Sequence, residues 1–150
     1  MKKSFLGSLL LALAAPMLAV NVHAQAFSKG EDAVQYRQGA FQIMRAHFGA
    51  LQPVVRGQVP YDQDAVIANI EVLEQVSQLP WRAFGPGTEG GDARPNVWSD
   101  SAAFEAAQQK YLESLGPLMA AAKDGSLDRL RQAFADTGAS CKACHDSFRR

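Results

Sequence analysis

The chain is poor in cysteine, with two in 150 residues. That excludes the disulfide frameworks that staple small exported domains. It also lacks a charge excess: Lys and Arg number 15, and so do Asp and Glu. A balance of that kind argues against a nucleic-acid surface. Charged residues make up only 20% and hydrophobic residues 47%, which excludes a polar disordered tail. Histidine is scarce, at three. No internal repeat or convincing strand alternation is visible, and no apolar run reaches the ~20 residues of a membrane span. What is left is one domain with an ordinary core.

A short leader precedes that domain. Lys2 and Lys3 are followed by Phe5 to Val20, almost wholly apolar and uncharged, and then by Val22-His23-Ala24. This is the pattern of a secretory signal peptide. A membrane anchor is the alternative, but Pro16 interrupts the run. Residues 1–24 are therefore read as a cleaved signal peptide and 25–150 as the mature domain. Without Lys2 and Lys3 that domain is weakly acidic. In a bacterial cell its destination is the periplasm.

The mature chain reads as four helices with apolar residues three and four apart. Val34, Arg37, Phe41, Met44, Phe48 and Leu51 form the first stripe, with Arg37 its one polar member. Pro53, Gly57 and Pro60 end that helix. Asp62 or Asp64 caps a second, with Val66, Ile67, Ile70, Leu73, Val76 and Leu79 on its buried face and Pro80 as a stop or kink. The third begins near Ser99 and Asp100 and carries Phe104, Gln108, Tyr111, Leu115, Leu118 and Ala122. Gly116-Pro117 inside it predicts a kink, and Asp124-Gly125 closes it. Ser126 caps the fourth, whose stripe runs from Leu127 to Phe148. Short connections favour antiparallel neighbours, so the fold class is an all-α, up-down-up-down four-helix bundle. Gly85 to Pro95, with four glycines and two prolines, is too long for a bundle turn. It reads either as a cover over a site or as a flexible surface loop.

The chemistry lies at Cys141-Lys142-Ala143-Cys144-His145, a C-x-x-C-H motif. It reads as a site of covalent c-type haem attachment. On a helix the two cysteines share a face, so each thiol can add to one porphyrin vinyl group. His145 can then bind iron beneath the same ring. A thioredoxin-like motif would sit beside a β-α-β pattern, which is missing. A structural zinc site needs further ligands, yet His23 leaves with the leader and His47 is poorly placed. A disulfide across one helical turn would be strained.

With the motif at the end of the last helix, the chain resembles the cytochrome c′ family of class II c-type cytochromes. The likeness extends to Glu31-Asp32-Ala33-Val34-x-Tyr36-Arg37-Gln38, to Leu79-Pro80-Trp81 and to Phe84-Gly85-Pro86-Gly87-Thr88-Glu89-Gly90-Gly91-Asp92-Ala93-Arg94-Pro95. It also includes Gly138-Ala139-Ser140 leading into the motif. The resemblance implies one covalent haem c per chain, with Cys141 and Cys144 as thioether residues and His145 as proximal iron ligand. It further implies that Arg37 and Gln38 meet the haem propionates. An arginine in an apolar stripe fits that role, because a buried guanidinium needs an anionic partner; an arginine snorkelling to water is the alternative. Asp92 corresponds to a haem contact from the long loop, through its backbone or a water. Trp81, Phe84 and Phe104 pack on the haem or simply in the core. Arg149, four residues after His145 and so on the same helix face, either flanks the proximal histidine beside a gas site or is a cation favourable at a helix C-terminus.

The sixth iron position decides between two functions. Low-spin members of this class carry a ligating methionine where this chain has Phe41. Phenylalanine has no lone pair, so the resemblance implies five-coordinate, high-spin iron with an apolar distal pocket lacking a hydrogen-bond donor. Such a haem binds small gases, NO and CO. The role expected is NO protection or electron transfer, binding and redox work rather than enzyme turnover. Met44, one turn on, is the rival ligand and would make a low-spin electron carrier; Met119 is a weaker one. A thiol–disulfide or zinc protein is the third possibility. The family also implies a homodimer through the first two helices, with Gln35, Gln42, Arg45, Ala46 and Leu51 on the candidate face. A covalent thioether link predicts that haem stain stays with the polypeptide on a denaturing gel; a stain-free band would leave the thiol or zinc reading.

Overall fold

In a computed structural model the described residues are 27–150, and the export segment read over 1–24 lies outside them. Seven helical elements follow in chain order. They are α1 (Gly30–Ala50), α2 (Gln52–Val55), α3 (Gln63–Val76), a 3-10 turn (Pro80–Ala83), α4 (Asn96–Ser99), α5 (Ser101–Lys123) and α6 (Leu127–Phe148). The four long ones form the bundle. α1 packs on α3, α3 on α5 and α5 on α6, an antiparallel succession of neighbours.

Side-chain caps set three of the four starts. Asp62 Oδ1 accepts from Ala65 N, Asp100 Oδ1 from Ala103 N, and Ser126 Oγ from Arg129 N. Each satisfies a backbone N–H that the first helical turn leaves without a partner. Asp62 rather than Asp64 is therefore the cap of α3. Leu51, Val66, Ile70, Leu73, Leu118 and Leu130 form the centre of the core, each 1% exposed or less.

Three expectations need correction. α3 ends at Val76, not at Pro80, and Leu79 is 39% exposed rather than on the buried face. Leu79 still has helical backbone angles, φ −75° and ψ −45°, but Pro80 has no N–H to continue the helical ladder, and the chain tightens into the turn Pro80–Ala83. Leu51 is only 1% exposed and so belongs to the core, not to an outward docking face. The start expected near Ser99 and Asp100 holds, with Asp100 as the cap of α5, and Ser99 just before it ends the one-turn helix α4. Helix α5 itself continues through Gly116 and Pro117.

The segment from Gly85 to Pro95 is tied down at both edges. A Cβ on Gly30 would lie 2.5 Å from the Gly87 carbonyl oxygen, so the start of α1 touches the loop backbone directly. On the other side Arg94 N donates to Phe148 O at 2.9 Å and Arg150 N to Asp92 O at 2.9 Å. Asn96 Nδ2 donates to Ser147 O at 3.1 Å. Of the two readings of this loop, the cover is the one that the structure supports. Gly30→Ala should force the loop off α1 and destabilise the fold by about 1–3 kcal/mol, measured by thermal unfolding; an unchanged melting temperature would mean that the contact yields freely.

Candidate functional site

Between α1 and α6 the bundle is open. The two helices meet at one end, where Phe48 and Phe134 stack with centroids 4.3 Å apart and planes 6° from parallel. Beyond that stack lies a cavity of about 920 Å³, within the ~300–1,000 Å³ of ordinary ligand sites. α1 contributes Arg37, Gln38, Phe41 and Met44; α6 contributes Cys141, Cys144 and His145. Trp81 and Phe84 close it from the 3-10 turn, Phe104 and Tyr111 from α5, and Asp92 and Ala93 from the covering loop. The site residues read from the sequence line this one space, Arg149 included, and of the candidate ligands only Met119 does not.

The walls are chiefly aromatic. Phe41 lies edge-on to Trp81 at 5.7 Å, Trp81 to Phe104 at 6.0 Å, and Phe104 to Phe148 at 5.2 Å. Such tilted pairs are the favoured aromatic geometry. Met44 is 9% exposed and belongs to the core as well as to the cavity wall. Met119 is buried in the same core cluster.

Both cysteines are free thiols here, half-buried on the α6 wall. Burial pushes each thiol up from its usual range, so both stay protonated. Burial and then the Arg149 charge draw the His145 imidazole down, while Asp146 opposes them. The neutral ring, the metal-binding form, is thereby favoured. Two thiols and an imidazole on one wall of a large apolar space suit a flat hydrophobic group with a metal at its centre.

Arg37 is 3% exposed, which excludes snorkelling to water. Its Nη1 donates to Ala83 O and Thr88 O, both at 2.7 Å, and its Nη2 to Gly90 O at 2.8 Å. The guanidinium also stands 4.4 Å from the Phe84 ring centroid and 5.6 Å from that of Trp98. The requirement for an anionic partner was thus too strict, because inward-turned loop carbonyls satisfy most of the cation. Of five N–H donors, Nε–H and one on Nη2 remain for another acceptor. Burial lowers the Arg37 pKa, with Glu89 acting the other way.

Two further corrections concern the cavity. Arg149 is not on the helix face of His145: it is the C-cap, in extended backbone, with its N–H on His145 O at 3.0 Å. Its Nη2 approaches Asp92 Oδ2 at 3.5 Å. The cavity also has a polar hydrogen beyond those of Arg37 and Gln38. Tyr111, counted in the sequence only as part of an apolar stripe, brings a phenol to the wall. Gln42 and Arg45, placed on an outward face, also line the cavity.

The family model described as Cytochrome C' matches residues 32–149. The chain belongs to the cytochrome c′ family. It is 59% identical over 124 residues to a cytochrome c' of Alcaligenes xylosoxydans xylosoxydans, covering 83% of this chain and 98% of the relative. It is 41% identical over 126 residues to one from Rubrivivax gelatinosus, covering 82% and 98%. A solved nitric oxide complex of a cytochrome c prime mutant from Alcaligenes xylosoxidans superposes with a TM-score of 0.81. The identity there is 59%, over 83% of this chain and 98% of that one. As a member of this family the chain is a c-type haem protein with covalently attached haem c. The cavity, with Cys141 and Cys144 on its wall, fits that group.

Arg37→Met keeps the apolar stem but leaves three carbonyls without their donor, two in the loop and one in the 3-10 turn. At roughly 1 kcal/mol per bond it should lower the stability of the holoprotein by about 2–4 kcal/mol in denaturant unfolding. A loss below about 0.5 kcal/mol would show that the loop is held by other contacts.

Proposed function

We propose that the chain is a periplasmic cytochrome c′ whose haem iron is five-coordinate and high-spin and binds NO and CO, serving NO protection or electron transfer. The observation that carries this reading is Phe41 on the cavity wall, since its ring offers iron no lone pair. The nitric oxide complex solved for a relative supports the choice of ligand. Among the described residues no helix is long and apolar enough to cross a membrane.

Each residue then has a role. Cys141 and Cys144 form the thioether links and His145 is the proximal iron ligand. The two unused N–H groups of Arg37, with Gln38, face the haem propionates. Asp92 holds the loop edge of the haem, its own carbonyl already engaged by Arg150 N. Phe41 crowds the distal side and Arg149 borders the proximal one, so that NO is diverted towards His145. The bound haem supplies a redox-active iron; the chain supplies its anchor, its dry surroundings and its steric gate.

Homodimerisation uses α1 and α3. In support, Ile43 is 44% exposed, and Gly39, Ala46 and Ala50 share its outward face. A second functional reading rests on Met44, which lines the cavity one turn from Phe41. Ligation by its thioether sulfur would make a low-spin electron carrier.

Absorption spectra of the ferrous protein separate the two. A broad high-spin spectrum that changes sharply with CO is expected, whereas narrow bands indifferent to CO would establish the Met44 reading. Phe41→Ala should tighten CO binding on the order of tenfold or more, about 1.4 kcal/mol per decade; unchanged CO affinity would eliminate the steric gate.

A further inference from the structure

Tyr111 lies midway along α5 and is 5% exposed. Its ring leans on Trp81, with centroids 6.4 Å apart and planes at 58°. It shares a core cluster with Met44 and Leu73, against which Phe41, Trp81 and Cys141 pack. Trp81 also packs against a second cluster, of Val97, Phe104 and Phe148, which Cys144 joins. Tyr111 thus brings α5 into packing contact with the cluster that holds Phe41 and Met44 of α1.

Its hydroxyl has no partner among the described residues. The backbone oxygen of Tyr111 accepts from Ser114 Oγ, but nothing engages the phenol. Among the described residues Asn96 Oδ1 is the one unpaired side-chain polar atom sealed entirely within protein. Tyr111 Oη is thus not sealed, and the space that this cavity-lining residue can open to is the cavity. Two Arg37 N–H groups and Gln38 are kept for the propionate edge by the reading above, and other donors are engaged. Trp81 Nε1 donates to Ser77 O at 2.5 Å, and three Arg37 hydrogens go to the loop carbonyls.

Packing alone does not account for this hydroxyl. Phenylalanine would fill the same place, and an unpaired phenol in apolar surroundings costs free energy. Burial, with Cys141 second, raises the Tyr111 pKa far above its ordinary value, so the oxygen keeps its hydrogen. A diatomic bound to haem iron accumulates negative charge on its outer atom, and pocket donors select which ligands are held. A donor in a low-dielectric cavity acts more strongly than one in water.

We infer that Tyr111 Oη is a hydrogen-bond donor of the haem cavity, directed at a small diatomic ligand, and that it is a specificity-determining residue of this site. The inference rests on the gas-binding reading above. It makes the cavity more favourable to ligands with polar outer atoms than Phe41 and Met44 alone would allow.

The test is Tyr111→Phe in the haem-loaded protein with CO as probe. Infrared spectra give the C–O stretch, titration gives affinity, and thermal unfolding checks the fold. A hydrogen bond to the CO oxygen weakens the C–O bond, so the stretch should rise in the variant. CO binding should weaken about two- to tenfold, with no loss of melting temperature. Intact CO binding with the same stretch and affinity in both proteins overturns this inference alone. CO that binds neither protein overturns the gas-binding reading and this one with it.

Discussion

The Arg37 guanidinium is the interaction on which the site depends. It rises from α1 among apolar neighbours and gathers the carbonyls of Ala83, Thr88 and Gly90. The loop it holds has few apolar side chains of its own, so hydrophobic burial cannot fix it. A cation can, because hydrogen bonds from a charged donor are stronger than neutral ones and gain strength away from water. The glycines let the chain turn its carbonyls inward: Gly87, Gly90 and Gly91 all have positive φ. One long side chain thus substitutes for a patch of core.

The other edge of the loop transmits that anchorage to α6. Bonds from Arg94, Arg150 and Asn96 engage the end of the helix that bears both cysteines and His145. The opposite end of the α1–α6 edge is closed by the Phe48–Phe134 stack. The space between two long helices is therefore held open by one aromatic latch and one polar latch. A close-packed bundle would collapse into it. Here the two helices are braced apart at both ends.

The bundle was legible because three- and four-residue spacing records the face of each helix that is buried. Caps were legible for the same local reason, as Asp62, Asp100 and Ser126 act within one turn. The motif at Cys141–His145 was legible because its chemistry sits on consecutive turns of a single helix. What escaped depended on distant segments. Arg37 could be picked out as anomalous, but its carbonyl partners lie 46 to 53 residues away. Arg149 was assigned a helical face that disappears when the chain becomes extended to pair with Ala93. Tyr111 was hidden because an aromatic at a core position looks the same whether or not its hydroxyl has a partner.

The pairing of Ala93 with Arg149 also bears on the order of assembly. Arg149 and Arg150 complete the latch, so the enclosure forms only once this segment lies beside the loop. Up to that moment the helix carrying both thiols has no complete wall facing it. Both thiols are thus most open to a large planar group before the loop and Arg149–Arg150 close together.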